Sequence, residues 1–177
     1  EGPELAKKFG VRAYPTFVIV NPDGTIRHKL VGGGEGEKFI ERVKESFDDN
    51  KALGALDAKY NSGNRDKAFL SQYAQVMVAN YDPNAKAIVD ELLKISTDEE
   101  KLSEDYWFIF GNSELSPKDS EAAKFLTDNR SKFNETIGKE KVDSRLSEGL
   151  FREILMVIAG RGQKTDVKRL DAIGREV

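Results

Sequence analysis

Few side chains in this sequence have the type and spacing to do chemistry. There is no cysteine, so no thiolate is available for nucleophilic attack, disulfide exchange or zinc ligation. The single histidine, His28, has no aspartate, cysteine or second histidine at ligand spacing, and nothing places a serine nucleophile beside it. It reads as a polar residue on a strand. Asp48-Asp49 and Asp98-Glu99-Glu100 lack the oxygen spacing and the glycine of a calcium loop, and read as solvated helix ends, with Asp98 an N-cap. Gly32-Gly33-Gly34-Glu35-Gly36 opens a helix, yet it has no Gly-Lys-Ser/Thr, and Glu35 and Glu37 put negative charge where a phosphate would sit. No catalytic residue, metal ligand or cofactor is assigned. What remains is Tyr14-Pro15-Thr16, where backbone rather than side chain is the candidate chemistry.

The elements around that tripeptide follow from local rules. Pro15 donates no hydrogen bond and drives Tyr14 out of the helical region, so it belongs at the mouth of a strand. Thr16-Phe17-Val18-Ile19-Val20 is a short β-branched and aromatic run that reads as that strand. Ahead of it, Pro3-Glu4-Leu5-Ala6-Lys7-Lys8-Phe9-Gly10 reads as a helix with proline in its first turn and glycine past its end. Asn21-Pro22-Asp23-Gly24 is a turn, and Thr25-Ile26-Arg27-His28-Lys29-Leu30-Val31 completes an antiparallel hairpin. Phe39, Ile40, Val43 and Phe47 then form one stripe of a helix expected to cover a face of the sheet.

This order, with Phe9-Gly10-Val11-Arg12, Tyr14-Pro15-Thr16, Pro22-Asp23-Gly24 and Gly32-Gly33, resembles the C-terminal half of a thioredoxin-like domain over roughly residues 2–49. The resemblance implies a cis peptide bond before Pro15 and a backbone at Tyr14 that pairs with an extended peptide or protein substrate. Tyr14, Pro15 and Thr16 would be the substrate-binding loop, with Gly32 and Gly33 rimming the same groove. In that family the loop faces a redox-active Cys-x-x-Cys. Here the Cys-bearing first half is missing, so the resemblance implies a fragment of a thiol–disulfide oxidoreductase that is inactive as it stands. The strand at residues 16–20 would then have an open edge, to be covered by a second copy or an upstream fragment. An exported or periplasmic setting is also implied by the resemblance alone.

From Lys51 on the periodicity is helical. Candidate helices cover residues 52–60, 66–81 and the stretch carrying Ala87, Ile88, Leu92, Leu93 and Ile95. Tyr60, Gly63 and Ala68 resemble one unit of a tetratricopeptide repeat, but no second unit follows at the ~34-residue period. The aromatic stretch at residues 102–110 reads as core, with Trp107, Phe110, Phe125, Leu150 and Ile154 buried. A final helix is expected after Thr165. The fold class is therefore α+β: a partial thioredoxin-like domain at residues 1–50 and an α-helical domain of repeat-like hairpins at residues 51–177. The alternative function is a non-catalytic protein-binding or scaffold module working through the helices.

Composition narrows the classes further. Of 177 residues, 33% are charged, and the net charge is −3. That balance gives no electrostatic case for nucleic acid. No apolar run approaches the ~20 residues of a membrane span.

Overall fold

In the computed structural model the chain is α+β, with one two-stranded antiparallel sheet among the described residues. The structure describes residues 2–158, and side chains as far as Glu148. It divides into two compact units, Glu1–Ser96 and Thr97–Val177. The change of secondary structure expected at Lys51 is present, since no strand follows among the described residues. Compactness does not break there, because the helix after Lys51 packs on the sheet.

In the first unit, α1 (Gly2–Lys8) leads through a loop to β1 (Thr16–Val20), which pairs with β2 (Ile26–Val31). The register opposes Thr16 to Val31, Phe17 to Leu30, Ile19 to His28 and Val20 to Ile26. Arg27 is the extra residue of the resulting bulge. A bulge re-aims its side chain, and here the guanidinium donates from Nε to the Ser46 carbonyl at 2.7 Å and from Nη2 to Asp49 at 2.6 Å. Those bonds hold the short 3-10 turn Glu45–Phe47 that follows α2 (Gly36–Lys44).

The α2 stripe covers less of the sheet than its periodicity suggests. Phe39 meets Phe17 edge-on at 4.8 Å, but Ile40 is exposed and Phe47 is 79% exposed. Neither α1 nor α2 contains a buried residue. The core of this unit instead runs from Leu30 into α3 (Leu53–Asn61), α4 (Lys67–Ala79) and α5 (Ala85–Ile95). Leu56, Leu70, Val89 and Leu92 are almost fully buried there, each stabilising by about 1.5–3 kcal/mol relative to exposure. Hydroxyls tie the helices at the edges of this core. Tyr73 donates to Asp57 at 2.6 Å and Tyr60 donates to Glu91 at 2.6 Å, while the Arg65 guanidinium lies 3.5 Å from the centre of the Tyr60 ring.

α3 reaches the sheet because its second residue is Gly54. A Cβ there would stand inside van der Waals contact of the Ile26 carbonyl oxygen and 3.4 Å from that of Arg27. The absence of a side chain lets the first turn of α3 sit directly on the backbone of β2.

The second unit opens with α6 (Asp98–Lys101), whose N-cap is Thr97 rather than the expected Asp98; Thr97 and Glu100 form a reciprocal capping box. The aromatic stretch is a 3-10 turn, Glu104–Tyr106, running into α7 (Trp107–Phe110). Ser120 caps α8 (Glu121–Asp128), its side chain accepting the Ala123 N–H. α9 (Arg130–Phe133) passes through a π-helical turn into α10 (Lys139–Ile158). Phe110 and Phe133 are fully buried at 5.1 Å between ring centres. Trp107 and Phe125, expected in the core, are half-buried at its margin. The side chains of Leu150 and Ile154, and the helix after Thr165, lie outside the described residues.

Arg145 closes this unit from within. It donates to the Phe110 carbonyl at 2.9 Å and to the Ser116 carbonyl and hydroxyl at 2.6 and 3.0 Å. The end of α7 therefore has its orphan carbonyl satisfied by a side chain 35 residues away.

Candidate functional site

The Pro15 loop lies at the open end of the hairpin. The Tyr14-Pro15 peptide is cis. Tyr14 is 79% exposed, Pro15 is exposed and Thr16 is half-buried. The Thr16 hydroxyl donates to the Ala13 carbonyl at 2.7 Å, which folds the loop back on itself. Gly32, at φ 81°, donates its N–H to the Pro15 carbonyl at 2.8 Å. A left-handed φ suits glycine, and here it carries the chain from β2 around the loop. Gly33 is held differently, its carbonyl accepting from Arg42 at 3.0 Å. Of the five residues singled out, Tyr14, Pro15, Thr16 and Gly32 form one cluster, and Gly33 follows at its rim.

The Gly32–Pro15 bond also sets the polarity of both strand edges. Antiparallel pairs alternate between those that exchange backbone bonds and those that do not. Pro15 opposite Gly32 is a bonded pair by this hydrogen bond, so the register makes Phe17 with Leu30 and Ile19 with His28 bonded as well. The N–H and C=O groups of Thr16 and Val18 therefore point away from β2. β1 has no other strand neighbour among the described residues. Apolar side chains flank this edge: Phe17 is 42% and Val20 47% exposed.

His28 takes no part in this cluster. It is 4% exposed, and its Nδ1 accepts the N–H of Leu53, at the start of α3, at 3.2 Å. An acceptor at Nδ1 requires the neutral ring with its proton on Nε2. Burial holds its pKa below the ordinary 6.5. The sequence pattern had placed it only as a polar strand residue, and it is instead the clamp between β2 and α3. No local signal marks that role, because its partner is 25 residues downstream.

Elsewhere, burial raises the Asp57 carboxyl above its usual range, with the Tyr73 hydrogen bond opposing it. Burial, then the bond to Asp57, raises Tyr73 in turn. A carboxylate held by a phenol with no nucleophile beside it is a structural pair. Among the described residues no three acidic, histidine or cysteine side chains gather as a metal site, and no helix is long and apolar enough to cross a membrane. What the Pro15 cluster can do is pair: an exposed backbone edge, an aromatic at its mouth and apolar flanks accept an extended chain. Comparison of this chain with family models, with curated proteins and with solved structures gave no match, so the reading of this site rests on its geometry.

Proposed function

We propose that residues 2–49 are the substrate-pairing half of a thioredoxin-like thiol–disulfide oxidoreductase domain, and that the outer edge of β1 receives an extended peptide beside Tyr14. The observation that carries this reading is the outward N–H and C=O groups of Thr16 and Val18 on an edge with no strand neighbour among the described residues, with the exposed Tyr14 at its mouth. The element order supports it: α1, the Pro15 loop, β1, β2, glycines, α2. Because the sequence holds no cysteine, the role of this chain is binding, and electron transfer would belong to thiols supplied from elsewhere.

The unburied faces of α1 and α2 fit the same reading. Leu5 and Ile40 stand exposed on them, as they would where further elements of such a domain, or a second copy, complete the layer on either side of the sheet. The test is a titration of the isotopically labelled chain with an extended peptide whose cysteine is blocked as a mixed disulfide. Amide shifts centred on Tyr14, Thr16 and Val18 are expected. Shifts confined to the helices of residues 53–95 would point to the scaffold reading instead.

A further inference from the structure

We propose that a second strand edge, on the opposite side of the sheet, is also a docking site: the cleft between β2 and α4 takes a short extended peptide carrying carboxylates. This inference does not depend on the thioredoxin-like reading of β1.

The register that turns Thr16 and Val18 outward from β1 turns Lys29 and Val31 outward from β2. α3 covers the other end of β2, at Ile26 and Arg27, through Gly54. Beyond it the edge borders a cleft of about 240 Å³, walled on the far side by Gln72 and Gln75 of α4 and by Asn80 just past its end. Arg42 already donates to the Val31 carbonyl at 2.7 Å. That leaves the Lys29 N–H and C=O and the Val31 N–H directed at the cleft. A free ladder edge is completed by another extended backbone.

The chemistry of the walls selects among occupants. Lys29 and Arg42 both line the cleft, and neither forms an ion pair among the described residues. Lys29 acts on Asp57 only through space. Lys51, at the same cleft, is paired with Glu45 at 3.3 Å. Lys29, Arg42 and Lys51 against the one lining carboxylate, Glu45, give the cleft a net positive wall in a chain of net charge −3, which calls for an anionic partner. A bare anion satisfies the cations and leaves the outward Lys29 carbonyl unmet. A peptide with acidic side chains offers N–H donors, C=O acceptors and carboxylates together. The volume lies below the ~300–1,000 Å³ of small-molecule sites, which suits a short run of main chain laid along the edge.

The isotopically labelled full chain should be titrated with three probes: an acetylated and amidated hexapeptide alternating valine and glutamate, its valine–lysine counterpart, and succinate. The expected result is saturable shifts at the Lys29 and Val31 amides and at the side-chain amides of Gln72, Gln75 and Asn80 with the glutamate peptide only. Lys29→Glu should weaken that binding tenfold or more. Ala79→Leu, which fills the cleft from an exposed position on α4, should do the same with an unchanged circular dichroism spectrum. Equal binding of the lysine peptide, succinate reproducing the shifts at equal affinity, shifts confined to Thr16 and Val18, or no shift at millimolar peptide would each overturn the proposal.

Discussion

Replacing Gly54 with alanine sets two effects of opposite sign against each other. Within a helix, alanine exceeds glycine by up to about 1 kcal/mol, so helix propensity alone predicts stabilisation. The added Cβ, however, would overlap the Ile26 carbonyl oxygen and lie 3.2 Å from its carbon. Neither neighbour is a side chain that can swing aside, so α3 or β2 must retreat. Overpacking of this kind costs about 1–3 kcal/mol, and withdrawal of α3 also lengthens the 3.2 Å bond from Leu53 to His28, a further ~1 kcal/mol. The steric term wins, and net destabilisation of about 1–3 kcal/mol is expected. For a chain of this length that lowers the melting temperature by about 2–12 °C. Gly36→Ala is the control, since a Cβ at this first residue of α2 meets nothing within 4 Å. Thermal and urea unfolding of both variants beside the parent gives the answer. A Gly54→Ala protein as stable as Gly36→Ala, or more stable than the parent, would refute the docking of α3 on β2.

The His28 clamp predicts a pH dependence. Its folded pKa lies below the ordinary 6.5, so the unfolded chain binds the proton first. The contribution is complete above about pH 6.5 and is lost as pH falls through the folded pKa, with a slope of up to about 1.4 kcal/mol per pH unit. Urea midpoints between pH 7.5 and 5 should fall accordingly, and His28→Asn, which keeps an acceptor near Leu53, should flatten that segment of the curve. Arg145→Ala strands the Ser116 carbonyl in the second unit and leaves the Phe110 carbonyl with only the Ser116 hydroxyl, at 3.2 Å, at about 1–3 kcal/mol for the buried acceptor left unmet; the fluorescence-detected unfolding of Trp107 should shift to lower urea. The purified chain should show no turnover in an insulin-reduction assay with a chemical reductant, because no side chain in it replaces a thiolate. Turnover above the no-protein control would contradict the assignment of a purely binding role.

How far the sequence revealed this arrangement depended on the range of the interactions. The Pro15 loop and its hairpin were legible because proline, the β-branched run and the Asp-Gly turn each act within a few residues. The strand register, and with it the bond joining Gly32 to Pro15, came from the structure and not from these local signals. Contacts made at long range left no such mark. His28 and Arg145 look like ordinary polar residues until Leu53 and Phe110 are brought to them by the fold. The boundary at Lys51 marked a real change of period, yet Gly54 and Leu53 carry the first compact unit across it. The α2 stripe misled for a different reason: periodicity gives the apolar face and not what covers it, and Ile40 and Phe47 remain exposed.

Amide hydrogen exchange along β1 tests the proposed pairing edge most directly. The register makes Phe17 and Ile19 donors to β2, so their amides should be protected in the free chain, while Thr16 and Val18, facing outward, should exchange quickly. Adding the blocked-cysteine peptide should slow Thr16 and Val18 and leave Phe17 and Ile19 unchanged. Thr16 and Val18 exchanging at the same rate with saturating peptide as without it would contradict the claim that the outer edge of β1 receives the partner chain.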